Sequence, residues 1–397
     1  MRAAVVGCGV AGMAAALALA RRGHEVTLLE GFDRPRPFGS GLLLQPSGLA
    51  ALRALGLDEE VLAAGARITR LDGRDLAGRR ILDMAYADWR PGGFGLGVHR
   101  ATLFQARHGA LAPAGVTLRT GVDVVGLESL AQPRLVDSQG RAHGPFDLAV
   151  IADGSASRLR GLVRPRARAP LYPWGAVWAN ARDAEGRFSG ALHQRYDAAS
   201  TMMGILPIGA GPDGTQGQVS LFWSLPVAGM EAFFAGDLAA WRARALSVWP
   251  EAEPLLETLR TPADFSRATY RDVAAGRWSN GGLTLIGDAA HGTSPQLGQG
   301  ANLALIDAVE LAERLAPGRP VAVSLARFQA ARRRQTGVYQ LASRGLTPLF
   351  QSGGRLGPWV RDRLFAPLAS LPLLKGVSAR VLTGTFRLGP TPRSLRP

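Results

Sequence analysis

Cysteine is almost absent from this 397-residue chain: Cys8 stands alone, which rules out an intrachain disulfide and any cysteine-based metal site. Lysine is as scarce, Lys375 being the only one among 46 basic residues. The arginine excess is therefore partly a matter of how this chain encodes positive charge. No apolar run approaches the ~20 uninterrupted residues that cross a bilayer. The N-terminal "VVGCGVAGMAAALALARR" imitates a secretory leader, but its basic flank is Arg2 alone. A cytoplasmic setting is expected. His24, His99, His108 and His143 lack metal-ligand spacing, so no metal site is expected. Nothing interleaves aromatics with the net charge of +15 in the manner of an RNA-binding sheet or a recognition helix, so no nucleic-acid partner is expected. From Arg327 onward stand twelve arginines, Lys375 and one aspartate, Asp362, so most of that charge lies at the C-terminal end.

The chain is longer than one ordinary hydrophobic core supports, and its hydrophobic periods change along its length. Residues 2 to 30 read as a βαβ unit: apolar "AAVV", a glycine turn, an Ala/Leu-rich helix closing near Gly23, then "EVTLLE". Between Leu171 and about Arg271 the runs are short, alternating and separated by Gly/Pro/Asp turns, which predicts an antiparallel sheet. From Gly282 an α/β pattern returns. The expected fold class is α/β: a Rossmann-like dinucleotide-binding domain with an inserted, mostly antiparallel substrate-binding sheet and C-terminal helices. The expected boundaries are 1–75, 98–170 and 275–330 for the first, 76–97 and 171–274 for the second, and 331–397 for helical pieces broken by Pro348, Pro358, Pro367 and Pro372.

Gly7, Gly9 and Gly12 form a G-x-G-x-x-G turn between the first strand and helix, with Val10 and Ala11 inside it and Glu30 at the end of the next strand. Gly7 permits the tight turn, Gly9 admits a diphosphate to the backbone, Gly12 allows close helix and strand packing, and Glu30 would accept from a ribose. Gly209 to Gly214 matches the same pattern. There, however, Pro212-Asp213-Gly214 is turn chemistry and a strand follows, so a hairpin loop is predicted. A third glycine cluster lies in "LTLIGDAAHGTSPQLGQGANLALIDAVELAERL". Asp288 after Gly287 suits the hydroxyls of a sugar or polyol chain. Gly298, Gly300, Ala301 and Asn302 strip side chains from a helix start whose N–H groups stabilise electron density placed against them.

Taken with "DGSASRLR" (Asp153 to Arg160) and "HRATL", these motifs make the sequence resemble the FAD-dependent aromatic hydroxylases, the class A flavoprotein monooxygenases of the para-hydroxybenzoate hydroxylase type. The resemblance spans roughly 300 residues. It implies FAD as cofactor, NAD(P)H as a transient co-substrate and O2 as oxidant, with oxygen delivered from a flavin C4a-hydroperoxide to an aromatic or polyketide-like small molecule. It places Glu30 on the adenosine ribose and Arg100 along the diphosphate. Asp153 and Gly154 fall where FAD meets the nicotinamide, Asp288 on the ribityl chain and Pro295 beside the oxygen-reacting face. The N–H groups near Gly300 to Asn302 then face the flavin ring. One departure is that Gly31 follows Glu30 where many relatives carry arginine, with Arg34 three residues later.

On the substrate side, Trp174, Trp178, Met202, Met203, Phe222 and Trp223 are candidates to line an apolar pocket, as well as ordinary core. His193 and Arg195 alternate onto one strand face; the first is a candidate proton acceptor, the second an anion anchor, and an exposed edge strand is the competing reading. His291 is expected to be structural. Epoxidation, oxidative ring cleavage or lipid double-bond reduction on the same scaffold, and ligand binding without turnover, stay open at this level. So do a monomer or homodimer and contact of the basic C-terminal region with a membrane surface or an acidic carrier protein.

Overall fold

Strand Arg2–Val6 is buried along its apolar residues, and it sits in the middle of a six-stranded sheet because both its faces need cover. The computed structural model describes all residues except 38, 166, 355, 371, 388–392 and 396–397. In that sheet the order is Ser279–Asn280, Leu283–Leu285, Leu148–Ile151, Arg2–Val6, Glu25–Leu29 and Thr117–Arg119, parallel except for the first strand. The four inner strands end level: Val6 stands opposite Ile151 and Leu29, and Ile151 opposite Leu285. Helices Val10–Ala20 and Gly300–Arg314 pack on each other beside it.

The second layer is a seven-stranded sheet in the order Phe265–Ala268, Trp174–Arg182, Gln218–Pro226, Thr201–Gly209, Ala191–Asp197, Arg70–Asp75 and Arg80–Ala85. Only the pairing of Ala191–Asp197 with Arg70–Asp75 is parallel. The boundary expected after residue 75 therefore falls earlier, since Arg70–Asp75 is already a strand of this sheet. Gly95–His99 in turn pairs with Gly41–Leu44 and Ala66–Ile68 in a three-stranded sheet between the layers. Ser40 and Ser220 share a 2.6 Å hydrogen bond there, and His99 Nε2 lies 2.9 Å from Asn180 Nδ2. Residues 210–217 join two antiparallel strands, a hairpin loop as predicted.

Pairing register settles the faces of the seven-stranded sheet. Val177, Ala179, Met203, Ile205, Leu221 and Trp223 turn to a cluster completed by Trp241, Val248 and Leu255 from the segment 230–259. Trp178, Tyr196, Met202 and Phe222 turn the other way, with Ile81 and Phe350.

Of Pro348, Pro358, Pro367 and Pro372, the last opens a new helix as expected, whereas the other three lie within helices. Val321–Phe350 runs past Pro348 in its last turn, and Leu356–Ser370 runs past Pro358 and Pro367. Pro358 lies in a first turn, where a backbone N–H has no intrahelical partner to lose. Several arginines of this region are used internally. Arg361 is fully buried, its guanidinium 5.1 Å from each of the Tyr196 and Phe350 rings and donating to Ala198 O and Leu349 O.

Candidate active site

Level strand ends bring together motifs that are far apart in sequence. Gly7 to Gly12, Glu30, Asp153-Gly154 and Gly287-Asp288 each follow the carboxyl end of one of the four adjacent parallel strands, where the crevice of an open α/β sheet takes its ligand.

The glycines there divide by what a side chain would meet. A Cβ on Gly12 would stand 1.8 Å from Gly7 O, and one on Gly7 (φ +100°) 2.7 Å from Ala152 O, so both serve the turn itself. Around Gly9, Gly154 and Gly298 nothing lies within 4 Å, and near Gly300 only Asp288 Oδ1 does, at 3.7 Å. These four leave open space rather than relieve crowding. Val10 and Ala11 begin the first helix beside them.

Glu30 accepts from the N–H groups of Cys8 at 2.6 Å and Phe32 at 3.0 Å, which orients its carboxylate across the turn. Asp153 Oδ1 is buried without a partner, and burial pushes its carboxyl above the usual range. Asp288 is surrounded by protein yet its side chain is open to the crevice. Its carboxylate makes no hydrogen bond or ion pair among the described residues, and burial raises it against the pull of His291 and Arg100. Arg100 starts the helix Arg100–Leu111, capped by His99 Nδ1, and lies against Gly39 with Tyr270 and Asp288 as its electrostatic neighbours. Orphaned carboxylates, open glycines and a helix start fit a nucleotide with a polyol chain.

Asn302 has a different task. Its Oδ1 accepts from Gln45 N at 2.8 Å, and its Nδ2 donates to Leu43 O and Gly298 O at 3.2 and 3.0 Å. The side chain thus anchors the helix start, leaving the backbone N–H groups at Gly300 and Ala301 to face a ligand. Pro295 is half-buried at the head of the turn Pro295–Leu297, just before Gly298.

A buried network unsuspected from the sequence holds this wall. His291 Nε2 lies 2.6 Å from Asp307 Oδ2, the same oxygen accepts from Gly287 N at 2.8 Å, and Arg332 Nε donates to Asp307 Oδ1 at 2.6 Å. Burial alone would raise the Asp307 carboxyl, but His291 and Arg332 hold it at about 2. Arg160 links the other two motifs, donating to Ala289 O at 2.7 Å and Ser155 O at 2.8 Å. The available signal was two acids, Asp307 and Glu310, on the apolar face of one helix, matched by arginines far downstream.

Register corrects the substrate-side residues. His193 stands opposite Ile205 and Arg195 opposite Met203, so both belong to the helix-covered face and not to the face toward the crevice. His193 lies edge-on to Phe188 and Trp249, 3.9 Å from Asp72, and burial lowers its pKa. Arg195 lies 4.4 Å over the Trp249 ring. Met203 and Trp223 share that face, whereas Trp178, Met202 and Phe222 point toward the crevice side, with Trp174 at the same strand parity. Sequence reasoning missed Tyr270, which accepts from Trp178 Nε1 at 3.3 Å and neighbours Arg100. A separate cleft of about 390 Å³, rimmed by Arg164, Arg168, Arg333 and Arg344, contains none of the cofactor-motif glycines or carboxylates. No helix among the described residues is long and apolar enough to cross a membrane.

Comparison with known proteins agrees with this geometry. The FAD binding domain family matches residues 1–318. 6-Methylpretetramide 4-monooxygenase of Streptomyces rimosus is 31% identical, the alignment covering 96% of this chain and 91% of the relative. Phenazine 1,6-dicarboxylic acid hydroxylase PhzS of Lysobacter antibioticus is 30% identical over 86% and 88%. The crystal structure of Klebsiella pneumoniae HpxO complexed with FAD and uric acid superposes with a TM-score of 0.81 at 22% identity, covering 97% of each chain. With a glycine turn, the Glu30 carboxylate held across it and an open second carboxylate at one sheet edge, and with relatives of this kind along nearly its whole length, the chain belongs to the class A FAD-dependent aromatic hydroxylases.

Proposed function

We propose that the protein hydroxylates an aromatic or polyketide-like small molecule, consuming NAD(P)H and O2 and releasing one oxygen atom as water. One observation carries this reading: a sheet face of Trp178, Met202 and Phe222 adjoins, through the Trp178–Tyr270 hydrogen bond, the wall that bears Arg100 and Asp288. FAD, when bound, supplies O2 activation with electrons from the reduced nicotinamide. Glu30 would hold its adenosine ribose, Arg100 its diphosphate and Asp288 its ribityl hydroxyls. Backbone N–H groups at the start of Gly300–Arg314 would stabilise negative charge on a ring held there, and Pro295 would line the same site. The apolar sheet face keeps water out. Tyr270 Oη, which accepts from Trp178, keeps its own proton to donate to a substrate hydroxyl or carbonyl oxygen. The names of the relatives, a pretetramide monooxygenase and a phenazine dicarboxylic acid hydroxylase, support the substrate class.

The test is purified protein screened with phenolic and polycyclic compounds for stimulated NADPH or NADH oxidation. Products are followed by mass for a gain of about 16 Da, one transferred oxygen. Stimulated oxidation that yields only hydrogen peroxide with every aromatic compound would reject the hydroxylase reading.

A further inference from the structure

Helix Arg100–Leu111 carries two arginines on one face, Arg100 and, two turns later, Arg107. The helix packs against Val10–Ala20, and Arg107 is 3% exposed. Its Nε donates to Leu103 O at 2.9 Å, but its Nη1 is fully buried and has no acceptor. Among the described residues no carboxylate pairs with it. Its electrostatic neighbours are the Cys8 thiol and Arg100. The first is neutral, since burial and Glu30 push that thiol up to about 12, and the second is a like charge. Burial pulls Arg107 down to about 10, which leaves it charged at neutral pH. An unpaired buried cation is unfavourable by several kcal/mol, so this arrangement is complete only when an anion arrives.

The adjacent turn has no cation of its own. Between Gly7 and Gly31 the basic residues are Arg21, Arg22 and His24, all at the far end of the first helix. Position along the helix distinguishes the two arginines. Arg100 faces Tyr270 and Asp288, on the ring side, whereas Arg107 faces Cys8, whose N–H is bonded to Glu30, on the ribose side.

We propose that Arg107 is a cofactor-binding residue that neutralises the adenylate phosphate of FAD, with Arg100 serving the flavin-side half. This rests on the placement of the adenosine ribose at Glu30.

The experiment uses apoprotein of the parent, Arg107→Met and Arg107→Lys, titrated with FAD and with FMN, which lacks the adenylate, together with thermal midpoints with and without FAD. For Arg107→Met the FAD Kd is expected to rise at least about ten-fold and the FMN Kd to stay at the parent value. The apoprotein midpoint is expected to hold or rise, the stabilisation by FAD to shrink, and Arg107→Lys to recover part of the affinity. An unchanged FAD Kd with a lowered apoprotein midpoint overturns the proposal, as does equal weakening toward FAD and FMN. A parent that binds FMN as tightly as FAD instead overturns the placement at Glu30, and the proposal with it.

Discussion

On the six-stranded side of the crevice, Asp153 and Asp288 keep unpaired carboxylate oxygens and Gly9, Gly154 and Gly298 keep empty space. On the seven-stranded side large side chains line both faces, and what matters is the direction each points: Trp178, Met202 and Phe222 one way, His193, Arg195, Met203 and Trp223 the other. A cofactor wall is thus marked by missing side chains and orphaned polar groups, whereas a substrate wall is marked by strand parity relative to a partner layer. The same contrast recurs within the cofactor wall. Asp288 is open and partnerless, while Asp307, nineteen positions on, is fully engaged by His291, Gly287 and Arg332.

The largest expected effect tests that inner contrast. Asp307→Ala leaves buried Arg332 without its hydrogen-bonded carboxylate, Glu310 standing 3.9 Å away, and should cost about 3–5 kcal/mol in urea unfolding. Because the folded carboxyl is held at about 2, below the unfolded value of ~3.9, its stabilisation is complete above about pH 4 and is lost as the pH falls toward 2. The parent should show that acid step and the variant should lack it. Asp288→Ala is the opposite case: FAD affinity of the apoprotein should fall roughly 30- to 100-fold, with the apoprotein itself no less stable. A large loss of apoprotein stability would mean that Asp288 is a structural carboxylate like Asp307.

On the sheet, Tyr270→Phe should lower kcat/KM for the best aromatic substrate about ten-fold, the ~1.4 kcal/mol of one lost hydrogen bond, while leaving FAD content at the parent level. His193→Ala, on the covered face, should change kcat/KM less than about two-fold and act instead on the unfolding midpoint. If His193→Ala matched or exceeded Tyr270→Phe in lost turnover, the assignment of the two faces would be wrong.

Much of the cofactor wall was readable because its requirements are local. Gly12 is demanded by backbone crowding against Gly7 O five residues back, and Gly7 (φ +100°) and Gly287 (φ +56°) by conformations that side chains disfavour. His193 and Arg195 illustrate the opposite. Their alternation with Tyr196 was visible, but a period of two states that two faces exist and not which one a second layer covers. Tyr270 follows a short edge strand with no pattern to announce it. Arg332, Arg361 and Arg387 looked like a solvated basic tail, yet Arg332 meets Asp307 and Arg387 meets Glu310 inside the fold, and Arg361 fills a slot between two rings.

From its residues alone this chain declared a dinucleotide turn, an acid at the end of the next strand, a glycine-stripped helix start and an inserted sheet, because each depends on backbone geometry or side-chain volume over a short span. Tertiary structure decided which sheet face meets the crevice, which aspartate stays open for a ligand, and which arginines serve the interior. Those outcomes depend on the pairing of segments up to three hundred residues apart, and a charge or a ring acquires its role only from what such pairing sets against it.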